Sequence, residues 1–210
     1  MIIKVLAKMA EHFRRAYSLT QFNDSEINDL SLSDAGVKVS ISPLMGHINL
    51  RGDTNDPIFL KSVQRVLGVR LPLQPNYVSE SDEFAALWIG PDEWLLLIPS
   101  TKQAIIIQQM RDALDNLFVG VTDITGGQTM INIQGDQAPD LLNKGCSLDL
   151  HPREFYTSRC AQTNIAKAMA LIWCISDEPS FNLVIRRSFF DYLGAWLKDA
   201  GKEYGVLFLD

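Results

Sequence analysis

The chain has 210 residues, 47% of them hydrophobic and 21% charged, with a mean hydropathy of +0.03, enough to bury roughly 70% of its unfolded surface as one large or two small lobes. A net charge of −6 and a pI near 5.1 argue against a nucleic-acid partner, which selects for clustered Lys and Arg. No segment approaches the ~20 apolar residues of a membrane span. Three cysteines, Cys146, Cys160 and Cys174, without CxxC spacing fit reduced thiols rather than a disulfide framework, so the expectation is a cytoplasmic protein.

Met1–Tyr17 carries Ile2, Ile3, Val5, Leu6, Met9 and Phe13 among Lys4, Lys8, Arg14 and Arg15. This pattern suits a short helix with one apolar face, and its apolar run is too short for a signal-peptide core. Residues 21–35, rich in Asp, Ser and Asn, read as a linker. Alternation at Val37, Val39 and Ile41, then at residues 47–50 beyond Pro43, predicts a two-stranded hairpin. Asp56-Pro57 is a cap and first turn for a helix of about three turns carrying Phe59, Val63, Val66 and Leu67 and ending at Gly68. Pro72 and Pro75 punctuate an extended crossing. Residues 85–89 and 94–98 flank the turn Gly90-Pro91-Asp92-Glu93 as a second hairpin. Ser100 or Thr101 is expected to cap a helix whose stripe runs Ile106, Met110, Ala113 or Leu114, and Leu117.

The order then recurs. Residues 121–125 and 128–133 are joined by Gly126-Gly127, a dipeptide suited to a two-residue hairpin loop. Asp136 heads a short helix with Leu141 and Leu142, stopped by Gly145. Strands are expected over 161–166, 168–175 and 181–186. Ser188 and Asp191 form a capping-box-like pair before a helix lined by Phe189, Tyr192 or Leu193, Trp196 or Leu197, and Ala200, and residues 206–209 close a sheet edge. Two strings carry the recurrence: Ile41–Asp53 (ISPLMGHINLRGD) and Ile124–Asp136 (ITGGQTMINIQGD) align without a gap and share five identities. The reading is an α+β fold built from internally duplicated hairpin-helix-hairpin-helix units. Its parts are an arm and linker over 1–35, a first repeat over 36–118 and a second over 119–210.

The chemical inventory is thin. His47 sits mid-strand, where its counterpart is Met130, so packing explains it better than ligation. Cys146, Asp149 and His151 fall within six residues, a spacing that permits a Cys–His pair without requiring one. A Cys and a His without further spaced ligands do not fill a zinc tetrahedron, and neither GxGxxG nor GxxxxGK[ST] occurs. No catalytic, cofactor-binding or metal residue is therefore expected. The tripeptide Arg51-Gly52-Asp53 has Gln134-Gly135-Asp136 as its copy at the same strand exit, so turn geometry accounts for it. Arg186 and Arg187 either grip an anionic group or pair with neighbouring acids. Of the four tryptophans most are expected in the core, with one or two as interface anchors. Arg186, Arg187 and Trp94 are the candidate partner contacts.

The strings INLRGD with GVRLPLQPN, LWIGPDEWLLL, VTDITGGQTMINIQGD, LLNKGCSLDLHP, CAQT and FNLVIRRSFFDYLGAWLKDAGKEYG together resemble the gamma subunit of bacterial heterotetrameric sarcosine oxidase, over about residues 37–205. The resemblance implies a fold similar to the folate-binding domain of the glycine-cleavage aminomethyltransferase. It also implies partner alpha, beta and delta subunits, with FAD, FMN, NAD and tetrahydrofolate held by those partners and none by this chain. Such a complex demethylates sarcosine to glycine, passes the one-carbon unit to tetrahydrofolate and makes hydrogen peroxide. The family supplies no catalytic residue to carry over. Tyr156-Thr157-Ser158-Arg159 stands where the family pattern has a glycine turn. The alternatives are a stand-alone folate-binding or one-carbon-transfer domain, with Asp123 or Asp149 facing the pterin, or the equivalent subunit of a related N-methyl amino-acid oxidoreductase.

Overall fold

The computed structural model describes residues 18–23, 35–42, 45–176 and 178–209. The expected helix over Met1–Tyr17 lies outside them, as does most of the expected linker. In chain order the described elements are β1 (Val37–Ile41), β2 (Met45–Arg51), α1 (Pro57–Leu67), β3 (Val78–Glu80), β4 (Ala85–Gly90), β5 (Glu93–Pro99), α2 (Gln103–Ala113), β6 (Gly120–Asp123), β7 (Gln128–Gln134), α3 (Ala138–Asn143), β8 (Cys160–Ile165), β9 (Ala168–Ser176), β10 (Ser180–Arg186), α4 (Phe190–Ala200) and β11 (Val206–Leu209).

Alternation along the central strands builds four layers. In β5, Trp94, Leu96 and Ile98 join Phe59, Val63, Leu67, Ile106 and Met110 of the helices α1 and α2 in one core. Leu95 and Leu97 of the same strand point the other way and meet Leu171 and Trp173 of β9 and Val184 of β10. The other faces of those two strands, with Ala170, Ile172, Cys174, Phe181, Leu183 and Ile185, lie under Leu141 and Leu142 of α3 and Phe190, Leu193 and Leu197 of α4. The order is helices, sheet, sheet, helices. A side-chain period of two puts both faces of each sheet under apolar cover, and each fully buried Leu or Val contributes about 1.5–3 kcal/mol.

The two strand pairs flanking the recurrent strings are not hairpins. β1 pairs with β7 and β11, whereas β2 pairs with β5 and β6. The sheets run β11-β1-β7-β10-β9-β8 and β3-β4-β5-β2-β6. The connections that were expected to be tight loops instead carry the chain from one sheet to the other. Gly126 and Gly127 sit in a 3₁₀ turn, Thr125–Gly127, and neither has positive φ. Removing β11 leaves two five-stranded orders with the same connectivity, β1-β7-β10-β9-β8 and β6-β2-β5-β4-β3. Ile48 faces Asp123 as Ile131 faces Ile41, so Ile41 is matched in space by Asp123 and not by Ile124. The gapless alignment slips by one residue ahead of β7, where the connection is one residue longer.

The helix ends divide sharply. Asp56 caps α1 through bonds from Ile58 N and Phe59 N, and Gly68 closes it at φ 73°. The other expected caps are not made: α2, α3 and α4 start at Lys102, Gln137 and Phe189 without a side-chain cap. Pro139 in the first turn of α3 and the 3₁₀ turn Arg187–Phe189 before α4 begin those helices instead. Within the expected extended crossing, Val78–Glu80 form β3 against β4. Ser158 adopts φ 72°, a left-handed conformation that costs a residue with a side chain about 1–2 kcal/mol.

The expected strand at 206–209 does close an edge, running parallel to β1. Beyond it the Asn23 carboxamide donates to Phe208 O at 2.9 Å and accepts from Phe208 N at 3.0 Å. Leu19 is fully buried, and the Phe22 ring packs between Phe190 and Phe208. Lys144 ties α3 to the end of α4 by donating to Ala200 O at 2.5 Å and to Glu203.

The glycine shared by the two strand exits serves the same bond in two environments. Gly52 N donates to Asp92 O at 3.1 Å and Gly135 N to Pro179 O at 2.9 Å, locking each exit to the turn before β5 and before β10. A Cβ on Gly52 would sit 2.4 Å from the Phe59 ring. On Gly135, at φ +127°, it would lie 2.3 Å from Gly36 O. Gly135→Ala is therefore expected to lower stability by about 2 kcal/mol or more in urea titrations. Gly126→Ala, with nothing within 4 Å, should stay within about 0.5 kcal/mol; equal losses for both would refute this account.

Candidate functional site

The titratable groups with chemical interest concentrate where the two sheets face each other. β2 turns Ile48 and Leu50 to the helices, which turns His47 and Asn49 to the inter-sheet side. His47 is buried. Its Nδ1 donates to Gln128 Oε1 on β7 at 2.8 Å, while its backbone N donates to Thr125 Oγ1 at 2.9 Å. Gln103 Nε2 also donates to Thr125 Oγ1, at 2.9 Å. Burial holds the imidazole below its ordinary pKa of 6.5, against the opposing pulls of the Gln128 hydrogen bond and the Asp123 charge. This is a satisfied neutral histidine bridging two strands that belong to different sheets.

At the far end of β2, Asn49 Nδ2 and Arg51 each donate to Glu93, at 2.6 Å. The Arg51 hydrogen bond, chiefly, draws the Glu93 carboxyl below the usual carboxylate range. Opposite, Asn132 Nδ2 donates to Asn182 Oδ1 at 2.9 Å and to Ser180 Oγ at 3.3 Å. On the β8 side, burial pushes the Cys160 thiol up to about 12. Its Sγ lies 3.5 Å from Tyr77 O and 3.6 Å from Trp88 O. Trp173 Nε1 donates to Glu80 Oε1 at 3.1 Å, and burial, the larger effect, raises the Glu80 carboxyl.

Cys146 and His151 are not brought together. Cys146 is buried with its Sγ 3.6 Å from Thr163 Oγ1, and exposed His151 accepts from Arg153 N at 3.2 Å through Nδ1. Asp123 and Asp149 are both exposed and each accepts from a backbone N two residues on, at Thr125 and His151. A shallow open groove of about 540 Å³ between α1 and α2, lined by Arg65, Val66, Gln109, Asp112 and Ala113, contains neither aspartate. Among the described residues no group of three or more His, Cys, Asp or Glu has the arrangement of a metal site.

Of the candidate partner contacts, Arg186 is exposed and Arg187 half-buried. Trp94 is corrected: it is 0% exposed, its Nε1 donates to Pro72 O at 2.8 Å, and its ring tilts against Phe59, so it has no surface to present. Sequence reasoning missed the cluster of Tyr77, Tyr156 and Arg159. The two hydroxyls lie 2.7 Å apart, and the guanidinium sits 4.9 Å from one ring centre and 5.8 Å from the other. Residues 79 positions apart give no local signal of such a meeting.

The layered sheets define a fold of the aminomethyltransferase type. The solved glycine cleavage system aminomethyltransferase T from Bartonella henselae has the same fold, with a TM-score of 0.61 and 13% identity over 83% of this chain and 48% of that one. A family model described as "Sarcosine oxidase, gamma subunit family" matches residues 51–203, and the chain belongs to that family. It is 33% identical over 140 residues to the sarcosine oxidase subunit gamma of Corynebacterium sp. (strain U-96), covering 66% of this chain and 67% of that one. The corresponding subunit of Arthrobacter sp is 33% identical over 139 residues, with coverage of 66% and 67%. A chain of the heterotetrameric sarcosine oxidase from Corynebacterium sp. U-96, solved with pyrrole 2-carboxylate, is similar with a TM-score of 0.76 and 26% identity over 84% of this chain and 89% of that one.

Two outcomes follow from the buried groups. A depressed His47 pKa means that the unfolded chain takes up a proton which the folded chain refuses. The associated stability is complete above about pH 6.5 and is lost as pH falls from there toward the folded pKa. Urea midpoints at about pH 8 and pH 5.5 should therefore fall further for the wild type than for His47→Met, which installs the residue found at the matching position 130. Equal falls would remove the histidine as the cause. In native protein near pH 8 Cys160 should resist iodoacetamide, because the thiolate is the nucleophile, and react once urea unfolds the chain. Native-state labelling of Cys160, read by mass spectrometry, would contradict its placement.

Proposed function

We propose that this chain is the gamma subunit of a heterotetrameric sarcosine oxidase and acts there as a scaffold. Membership in the gamma-subunit family carries the reading, and the likeness to a chain of a heterotetrameric sarcosine oxidase supports it. In this assembly the alpha, beta and delta subunits hold FAD, FMN, NAD and tetrahydrofolate. The N-methyl group of sarcosine is oxidised to an imine with two electrons passing through flavin to oxygen, giving peroxide, and the one-carbon unit goes to tetrahydrofolate as glycine leaves. The gamma chain contributes shape and contact surface, with Arg186 and Arg187 as its candidate contacts. Its body over 36–210 is composed of two copies of one unit, 36–118 and 119–210. The mirrored strand orders support this, together with Ile48, Asn49, Gly52 and Asp53 recurring at Ile131, Asn132, Gly135 and Asp136.

Co-expression with the three partner subunits tests the reading. The chain should co-purify with a complex that shows flavin absorbance and sarcosine-dependent peroxide release, and omitting it should lower the yield of active complex several-fold. A complex of full yield and activity without this chain would end the proposal. Tight binding of tetrahydrofolate by the isolated chain in calorimetry would favour the stand-alone folate domain.

A further inference from the structure

The two sheets differ by one strand, and the difference falls at the outer side of β6. β6 lies beside β2 as β1 lies beside β7. In the six-stranded sheet β1 is covered by β11, which runs parallel with Val37 opposite Val206 and Val39 opposite Phe208. The side chains of Val206 and Phe208 are buried under the helix layer, and Asn23 closes the far side of β11. β6 is the terminal strand of its sheet.

The ladder fixes which groups face outward. Ile124 N donates to His47 O, and residues of an antiparallel strand alternate in direction. Thr122 therefore faces β2, and the N–H and C=O of Val121 and Asp123 point away from it. Among the described residues the outward group with a side-chain partner is Val121 O, which accepts from Arg111 at 3.4 Å, a long bond. The flanking side chains are apolar. Val119 and Val121 pack partly buried against the helix-side core, and Phe118 at the strand's entry is 104% exposed. A bare ladder beside a protruding phenylalanine is a template for strand addition.

We propose that the outer edge of β6 receives an extended segment of a partner subunit, added parallel to β6 as β11 is added to β1. The proposal rests on the reading of this chain as an oxidase subunit. The occupant alternates apolar residues toward α2, the places that Val206 and Phe208 take over β1. It carries Lys or Arg near one end, because Asp123 on the strand itself is exposed on a chain of net charge −6. Arg111, which holds Val121 O in the free chain, is displaced by the incoming backbone.

The test is hydrogen exchange by mass spectrometry on the full chain, alone and in the assembled complex. Residues 118–123 should exchange at least about tenfold more slowly in the complex. Phe118→Ser removes a side chain that touches solvent, and Val121→Pro removes an outward N–H at an edge position where proline is tolerated. Phe118→Ser should leave the thermal midpoint of the isolated chain unchanged, and both variants should weaken association with the partner subunits about tenfold or more. A complex that forms with 118–123 exchanging as in the free chain, or with Phe118→Ser at wild-type affinity, overturns the edge proposal alone. Concentration-dependent protection of the same residues in the isolated chain assigns the edge to a second copy and overturns it too. If no complex forms, the oxidase reading falls and this proposal falls with it.

Discussion

The molecule is held together by two exchanges of strand. Between β1 and β2 the chain passes from one sheet to the other, and residues 124–127 carry it back from β6 to β7. β1 pairs in the sheet of β7 to β10 and β6 in the sheet of β2 to β5, so each sheet takes a strand from the other half of the chain. The apolar middle layer, from Val78, Leu87, Leu95 and Leu97 to Leu171, Trp173 and Val184, then forms between sheets that already share strands. Long-range pairing of this kind stabilises the whole body as one cooperative unit and makes separate folding of the halves unfavourable.

The same exchange explains the polar groups within the layer. His47 and Gln128 stand on β2 and β7, at the start of the strands that follow the crossings, and their hydrogen bond joins the two sheets where the backbone leaves one for the other. A buried imidazole is tolerated there because its Nδ1 has a partner. Asn49 with Glu93 and Asn132 with Asn182 satisfy polar side chains further along the same strands. These interactions account for the titratable chemistry of the layer as structure.

The crossings also bear on what the chain offers to others. One unit supplies a last strand, β11, which seals β1, and the segment at Leu19–Asn23 seals β11 in turn. The other unit has its last helix followed directly by β6, a strand already committed to β2 on one side. Edge strands of this kind are paired or guarded in native proteins, and among the described residues the guard is a long hydrogen bond from Arg111.

Element type was legible in the sequence wherever a local rule sufficed. Asp56-Pro57 and Gly68 bounded α1, alternation marked β1, and the Gly90–Glu93 turn joined β4 and β5 in a hairpin. Pairing was not legible, because alternation says which face of a strand is buried and not which strand lies beside it; β1 with β2 and β6 with β7 were mispaired for that reason. Trp94 was misplaced because a tryptophan after a turn reads alike as core or anchor until its Nε1 is seen to find Pro72 O. Caps failed where a 3₁₀ turn began the helix, and the Tyr77, Tyr156 and Arg159 cluster exists only through tertiary proximity. The sequence by itself determined the α+β class and the recurrent glycine, since each is a matter of residue type and spacing. The exchange of strands between sheets and the open edge of β6 were decided by the tertiary structure alone, because they depend on the geometry of two crossings whose local sequences equally suit a tight loop.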